Sequence, residues 1–205
     1  MLGSEPRHLQ VLTVRWQLLN LAQRGHGHSL QPRPVRGPWA AEAEVAVLDA
    51  WFPLQPPARP ARWDELDRPE PAAFEALAAT PEGVRKLTRW VADGLIACPQ
   101  LRYGMIALLT PHHPGLTELE RDLVWRVLGV PVFQQYRDAS GELIAFECEW
   151  RRGLHLSASF YPWRDAVIEL LEFTPCPCGR PEPRLMVEEP TLDKWNALWR
   201  SNVRE

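Results

Sequence analysis

Three cysteines and one histidine in the second half of the chain could together bind a metal ion. They follow the pattern Cys148-x6-His155-x20-Cys176-x-Cys178. Thiolate sulfur and imidazole nitrogen are ligands that zinc prefers, and four of them complete a tetrahedral site with no position left for water. Such a site would be structural rather than catalytic.

The same residues allow other interpretations. A cysteine in a strand is usually a small core residue, and a lone histidine is usually half-buried with satisfied hydrogen bonds. A disulfide between Cys176 and Cys178 would close a very small ring and would be strained. The spacing by itself therefore leaves a zinc site, inert thiols and a disulfide open.

The expected compartment and charge narrow the classes of function. No signal peptide is recognisable at the N-terminus, and the apolar stretch 9–21 is interrupted by polar residues and too short to cross a bilayer. We therefore expect a cytoplasmic, reducing setting, where closely spaced cysteines more often bind metal or do redox work than staple a fold. The net charge of −3 argues against a nucleic-acid-binding arm or a basic membrane patch.

The elements that lead up to the four residues are predicted to form a βαβ unit. The apolar runs at 105–110 and 130–136 predict two strands. Thr117 followed by Glu120 is a capping box that starts a helix between them, and Gly129 ends it. Strand, helix and strand at this spacing predict parallel strands with a right-handed crossover.

Further strands are predicted around the cysteines and the histidine. The segments 142–150 and 154–160 are expected to pair as a hairpin through a tight turn at 151–153. Another strand is expected at 167–173, and the tail 191–201 has the spacing of a helix with one apolar face. The hairpin would bring the first cysteine close to the histidine. Prolines and a glycine around the last two cysteines would let both thiols face one point.

The first half of the chain is predicted to be helical, with proline-rich linkers. Thr80 followed by Pro81 is the N-terminal signal of one helix. Further helices are expected at 9–23, 39–52 and 71–79, with linkers at 31–38 and 53–62. These patterns predict the α/β class, with a helical N-terminal half followed by a βαβ unit and a mixed sheet. They divide the chain into a helical, proline-linked segment at 1–62 and an α/β domain at 63–205, with the zinc module at 148–178.

Three blocks of the second half resemble the phenylacetate–coenzyme A ligase family, which belongs to the acyl-adenylate-forming enzymes. The blocks are GLTELERDLVWRVLGVPVFQQY at 115–136, AFECEWRRGLHLSASFYP at 145–162 and PCPCGRPEPRL at 175–185. The resemblance covers about 96–186. It implies a fragment of the ligase fold and one zinc ion bound by Cys148, His155, Cys176 and Cys178.

The chain departs from that family in the parts that perform catalysis. It has no Ser/Thr/Gly-rich run to wrap the phosphates of ATP, and YRDASGE at 136–142 replaces the family motif Tyr-Gly-x-Ser/Thr-Glu. The family's swinging C-terminal domain and its lysine have no counterpart in the sequence.

These departures set the functional expectation. We expect a non-catalytic, zinc-stabilised relative that acts as a binding or accessory module, with a protein or a small acyl ligand as its partner and neither nucleic acid nor membrane. The alternative is a reduced acyl-activating, AMP-forming enzyme, or an acyl-binding protein, that uses Arg137, Asp138 and Glu142.

Overall fold

The computed structural model describes residues 31–39, 42–68, 70–110, 113, 115–151, 153–157, 171–186 and 197. These residues contain two α-helices, α1 (Pro81–Ala92) and α2 (Glu118–Leu128), and a 3-10 turn at Trp63–Glu65. The strands described are β1 (Arg33–Pro34), β2 (Val45–Leu48), β3 (Leu54–Gln55), β4 (Ala58–Ala61), β5 (Ala73–Ala79), β6 (Gln100–Leu109), β7 (Val132–Arg137), β8 (Leu143–Glu147), β9 (Leu154–Leu156), β10 (Leu171–Glu172) and β11 (Arg184–Leu185).

Nine of these strands form one mixed sheet, and β1 and β3 pair outside it. The order across the sheet is β10-β11-β9-β8-β7-β6-β5-β2-β4. The half from β4 to β7 is parallel, whereas the half from β7 to β10 is antiparallel. The predicted α/β class with a mixed sheet is therefore confirmed.

The predicted βαβ unit is present as β6, α2 and β7. The two strands are parallel, with Met105 opposite Val132. The helix begins with the expected capping box, in which the Thr117 backbone amide donates to Glu120 Oε2 at 2.7 Å and the Glu120 amide donates to Thr117 Oγ1 at 3.3 Å. Gly129 then ends the helix in the left-handed region, with φ at 70°. These local signals are strong because they satisfy backbone groups that the helix itself leaves without partners.

The helix signal at Thr80 is likewise confirmed, since its side chain accepts a hydrogen bond from the Gly83 amide at 3.1 Å at the start of α1. The prediction of a helical N-terminal half is wrong. The segment 39–52 contains strand β2, and 71–79 contains strand β5.

The physical reason for this error is burial on both faces. All of β2 is buried, because β2 lies between β4 and β5 and both faces of the sheet are covered. A strand of this kind reads as a continuous apolar run, and such a run does not distinguish a strand from a buried helix. The linkers expected at 31–38 and 53–62 likewise contain β1, β3 and β4.

Several predicted elements cannot be compared with the structure. The helix at 9–23 and nearly all of the helix at 191–201 lie outside the described residues, as do 158–160 and 167–170. Within the described part, the hairpin strands are shorter than expected, at Leu143–Glu147 and Leu154–Leu156.

The core has one layer on each side of the sheet. On one side, strand residues such as Leu77 and Met105 pack with Val84 of α1 and Val124 of α2. On the other side, the alternate strand residues, including Ile106, pack with side chains from 31–39 and 50–54. Strands from both sides of residue 62 belong to this one sheet. Neither helix in the described part of the chain is long and apolar enough to cross a membrane.

Candidate metal centre

The antiparallel half of the sheet brings Cys148, His155, Cys176 and Cys178 together. Cys148 directly follows β8, and His155 lies in β9, which pairs with β8. Cys176 and Cys178 lie in the turn between β10 and β11. Because β11 pairs with β9 on its other side, that turn returns to the histidine.

The four ligand atoms converge at distances that suit one ion. Cys148 Sγ lies 3.7 Å from Cys176 Sγ, and Cys178 Sγ lies 3.4 Å from His155 Nε2. All four ligand atoms lie within 4.8 Å of one another. A tetrahedral zinc ion with bonds of about 2.3 Å to sulfur and about 2.0–2.1 Å to nitrogen requires sulfur–sulfur edges of about 3.8 Å and sulfur–nitrogen edges of about 3.5–3.6 Å. The group can therefore hold a metal ion.

The disulfide interpretation does not hold in this structure. All four cysteines are free thiols, including Cys176 and Cys178. The separation of 3.7 Å between Cys148 Sγ and Cys176 Sγ is also far longer than a sulfur–sulfur bond of about 2.05 Å.

Burial shifts the pKa values of two of the four ligands, Cys148 and His155. Cys148 and His155 are fully buried and Cys176 is nearly so, while Cys178 is partly exposed. Burial raises the pKa of the Cys148 thiol to about 12, against a smaller opposing effect of a hydrogen bond from the Trp150 backbone amide. Burial lowers the pKa of His155, which keeps the imidazole neutral, as a metal ligand must be.

The Cys176 thiol is different because the turn supplies hydrogen bonds to it. Burial acts to raise the pKa of Cys176, but the Cys178 backbone amide, the two neighbouring thiols and the charge of Arg184 together hold it below its ordinary value. Gly179 supports the turn itself, since its backbone amide donates to the Cys176 carbonyl oxygen at 2.9 Å and its φ is 79°. The Cys178 backbone amide therefore donates to a sulfur of the cluster, whereas the Gly179 amide donates to a carbonyl oxygen.

A row of side chains beside the ligands was not anticipated from the sequence. Successive cross-strand pairs place Phe146, His155, Arg184 and Glu172 side by side across four antiparallel strands. The Phe146 ring stacks on His155 with ring centroids 5.4 Å apart. Arg184 Nη1 lies 3.6 Å from Cys176 Sγ, and its Nη2 donates to Glu172 Oε2 at 2.8 Å. Only the register of three strand pairings could have revealed this row.

A buried ion pair joins helix α2 to strand β8, which directly precedes the first cysteine of the cluster. Arg121 donates to both carboxylate oxygens of Glu147, at 2.7 and 2.9 Å, and each side chain is 5% exposed. Glu147 also accepts the Gln134 backbone amide at 2.8 Å. Because Glu147 immediately precedes Cys148, this ion pair joins helix α2 to the residue next to the first ligand.

Arg137, Asp138 and Glu142 are the residues that the alternative enzyme function would use. In the structure they form hydrogen bonds and an ion pair around the loop after β7. Arg137 is buried and donates to the carbonyl oxygens of Pro34 and Gly141. Burial lowers its pKa to about 10. The Asp138 carboxylate accepts the backbone amide of Glu142, and Glu142 forms an ion pair with Arg33. The structure does not bring these residues to the cluster of Cys148 and its partners.

The fold and site together define an α/β protein with a buried Cys3His cluster that can bind a metal ion. No protein-family model matches the chain, and no curated protein matches it.

Proposed function

We propose that the chain is a zinc-stabilised, non-catalytic relative of the phenylacetate–coenzyme A ligases that serves as a binding or accessory module. The observation that carries the zinc assignment is the convergence of three thiols and one imidazole within 4.8 Å. This donor set is the one that zinc occupies in closed tetrahedral sites. The resemblance of the three sequence blocks supports the relation to the ligases.

A structural role for the ion follows from the donor set and its surroundings. Four protein ligands leave no coordination position for water or substrate, and three of the four are buried. The ligands come from β9, from the end of β8 and from the turn before β11. One ion would therefore join three segments of an antiparallel sheet whose outermost strands span two residues each in the described part of the chain.

Two observations support a non-catalytic function: a loop missing from the sequence, and the contacts of the residues that the alternative enzyme would use. The sequence has no phosphate-wrapping loop. Arg137 and Glu142 are engaged with the segment that contains Arg33 and Pro34. A cytoplasmic, reducing location fits the free state of the thiols, which zinc binding requires.

The first experiment is metal analysis of the full chain, purified under reducing conditions. One zinc per chain supports the proposal, and a protein that is folded without stoichiometric metal contradicts it. The metal identity is checked by loading the chelated protein with zinc, cobalt or iron in competition.

The second experiment addresses the ligase relation. Melting temperature is measured with ATP and magnesium, and separately with aryl acids, acyl-coenzyme A and coenzyme A. A ligand that binds the native state raises the melting temperature. A shift with ATP and magnesium would favour the alternative of a reduced acyl-activating enzyme, whereas a shift with an acyl ligand alone would favour the binding module.

A further inference from the structure

We infer that Arg184 is a positioning residue of the metal centre, which balances the charge of the bound ion and its thiolates through a hydrogen bond to Cys176. This inference rests on the proposed metal site and adds a function for a residue that is not itself a ligand. The centre then consists of four ligands and one arginine, whose guanidinium donates a hydrogen bond to a sulfur ligand.

Arg184 is held against the cluster by the register of the strands. Arg184 Nη1 lies 3.6 Å from Cys176 Sγ, and the arginine is 5% exposed. Arg184 stands directly opposite His155 in the pairing of β11 with β9. It is therefore beside one ligand and in contact with another, and the strand register fixes it there rather than a mobile loop.

The charge of the metal-bound cluster also favours a cation beside it. Three thiolates around a divalent ion with a neutral imidazole carry one negative charge in excess. In a buried site an excess charge is costly unless an opposite charge or hydrogen-bond donors compensate it. The guanidinium supplies one positive charge and an N–H donor to the sulfur, so the group formed by the ion, its ligands and Arg184 is neutral.

The competing explanation is that Arg184 merely forms an ion pair at the sheet edge. Its Nη2 does donate to Glu172 Oε2 at 2.8 Å, but the Glu172 side chain is 33% exposed, against 6% for Arg184. The same nitrogen also lies 3.4 Å from Thr174 Oγ1. Because the carboxylate is one-third exposed, solvent screens this ion pair more than it would a fully buried one. The two explanations differ in which partner of Arg184 matters for metal binding, the sulfur or the carboxylate.

The experiment measures metal affinity in the reduced full chain and in four variants, one of which is a control. Zinc and cobalt affinities are determined by competition with a chelator for the natural protein, Arg184→Met, Arg184→Lys and Glu172→Gln. Arg180→Met is the control for the loss of a nearby positive charge, since Arg180 lies over the Phe146 ring at 5.3 Å, its charge acts on His155, and among the described residues it forms no hydrogen bond to a sulfur. The cobalt absorption band of thiolate coordination reports whether all three sulfurs remain bound.

We expect Arg184→Met to weaken metal binding by about 10- to 100-fold, the usual cost of removing a group that supports a ligand. Glu172→Gln and Arg180→Met should change the affinity much less. Arg184→Lys keeps the charge but loses the fork that reaches both partners, so its affinity should lie between those of the natural protein and Arg184→Met. The cobalt thiolate band should weaken or shift in Arg184→Met alone.

The inference is overturned if Arg184→Met binds zinc as tightly as the natural protein, or if Glu172→Gln loses as much affinity as Arg184→Met. If Arg184→Met does not fold, Arg184→Lys and Glu172→Gln decide the matter, and equal affinities for these two overturn the inference. Failure of the natural protein to bind any of the metals is a different result, because it removes the proposed metal site itself.

Discussion

Replacing Cys176 with serine should destabilise the protein to the extent that one zinc ligand contributes. Cys176 is 4% exposed, and its sulfur lies 3.7 Å from Cys148 Sγ within the cluster. A serine hydroxyl at neutral pH is neither a thiolate nor a good zinc ligand. Removing the sulfur also leaves the Nη1 donor of Arg184 without its sulfur acceptor.

The magnitude follows from the number of ligands. Structural zinc is worth about 10–16 kcal/mol of apparent binding free energy in small peptides, so one ligand of four accounts for about 2.5–4 kcal/mol if the ligands contribute equally. This corresponds to a loss of between about 100-fold and 1000-fold in zinc affinity. The net stability of a domain is only about 5–15 kcal/mol, so the variant should be markedly destabilised.

Denaturant unfolding, followed by tryptophan fluorescence and far-ultraviolet circular dichroism, measures this effect with zinc present and with a chelator. We expect chelation to destabilise the natural protein more than it destabilises Cys176→Ser, because the variant has already lost the contribution of one of the four ligands. Cys98→Ser is the matched control, because Cys98 is exposed and, within the described part of the chain, its thiol contacts the carbonyl oxygens of Pro99 and Val127 and none of the cluster. The control should stay within about 0.5 kcal/mol of the natural protein. Equal stabilities of the two serine variants, or a natural protein indifferent to chelation, would refute the reasoning.

Three further predictions concern activity, the buried ion pair and acid stability. We expect no acid-dependent pyrophosphate exchange with ATP and any aryl or fatty acid, and exchange clearly above background would contradict the non-catalytic proposal. Arg121→Met should cost about 3–5 kcal/mol in denaturant unfolding because it leaves Glu147 buried and unpaired, and adding Glu147→Leu should recover part of that loss; a double variant no more stable than the single one would argue against this. Hydrogen bonds from Arg85 chiefly lower the pKa of Glu120 from 4.5 to about 2, so its stabilisation is present above pH 4.5 and is lost as the pH falls through about 2. Melting curves in chelator should show that Glu120→Gln lowers this acid dependence, and an unchanged pH profile would mean that the carboxylate is not coupled to folding.

The local signals in the sequence determined the elements that depend on short-range chemistry. Thr80, Thr117 and Gly129 mark helix boundaries because their side chains or backbone satisfy groups at helix ends, and this requires only neighbouring residues. The hairpin of β8 and β9 also followed from local alternation and a turn. The ligand types of the cluster could be proposed for the same reason, since their chemistry is a property of single residues and their spacing.

Tertiary structure alone decided the identity of the N-terminal strands. The segments that contain β2 and β5 are apolar and rich in alanine, so their local pattern is compatible with a helix. They are strands because each lies between two parallel neighbours that supply its backbone hydrogen bonds and cover its edges. Such partners are distant in sequence and have no periodic signature.

The surroundings of the cluster were also decided by pairings between distant strands. Arg184 meets Cys176 because β11 is in register with β9 on one side and β10 on the other. Arg121 meets Glu147 because α2 packs across the sheet where β8 lies beside β7. A one-residue shift of either register would turn these side chains to the opposite face of the sheet. The sequence could therefore indicate which residues could bind a metal ion, while the fold determined which charged and hydrogen-bonding side chains lie beside them.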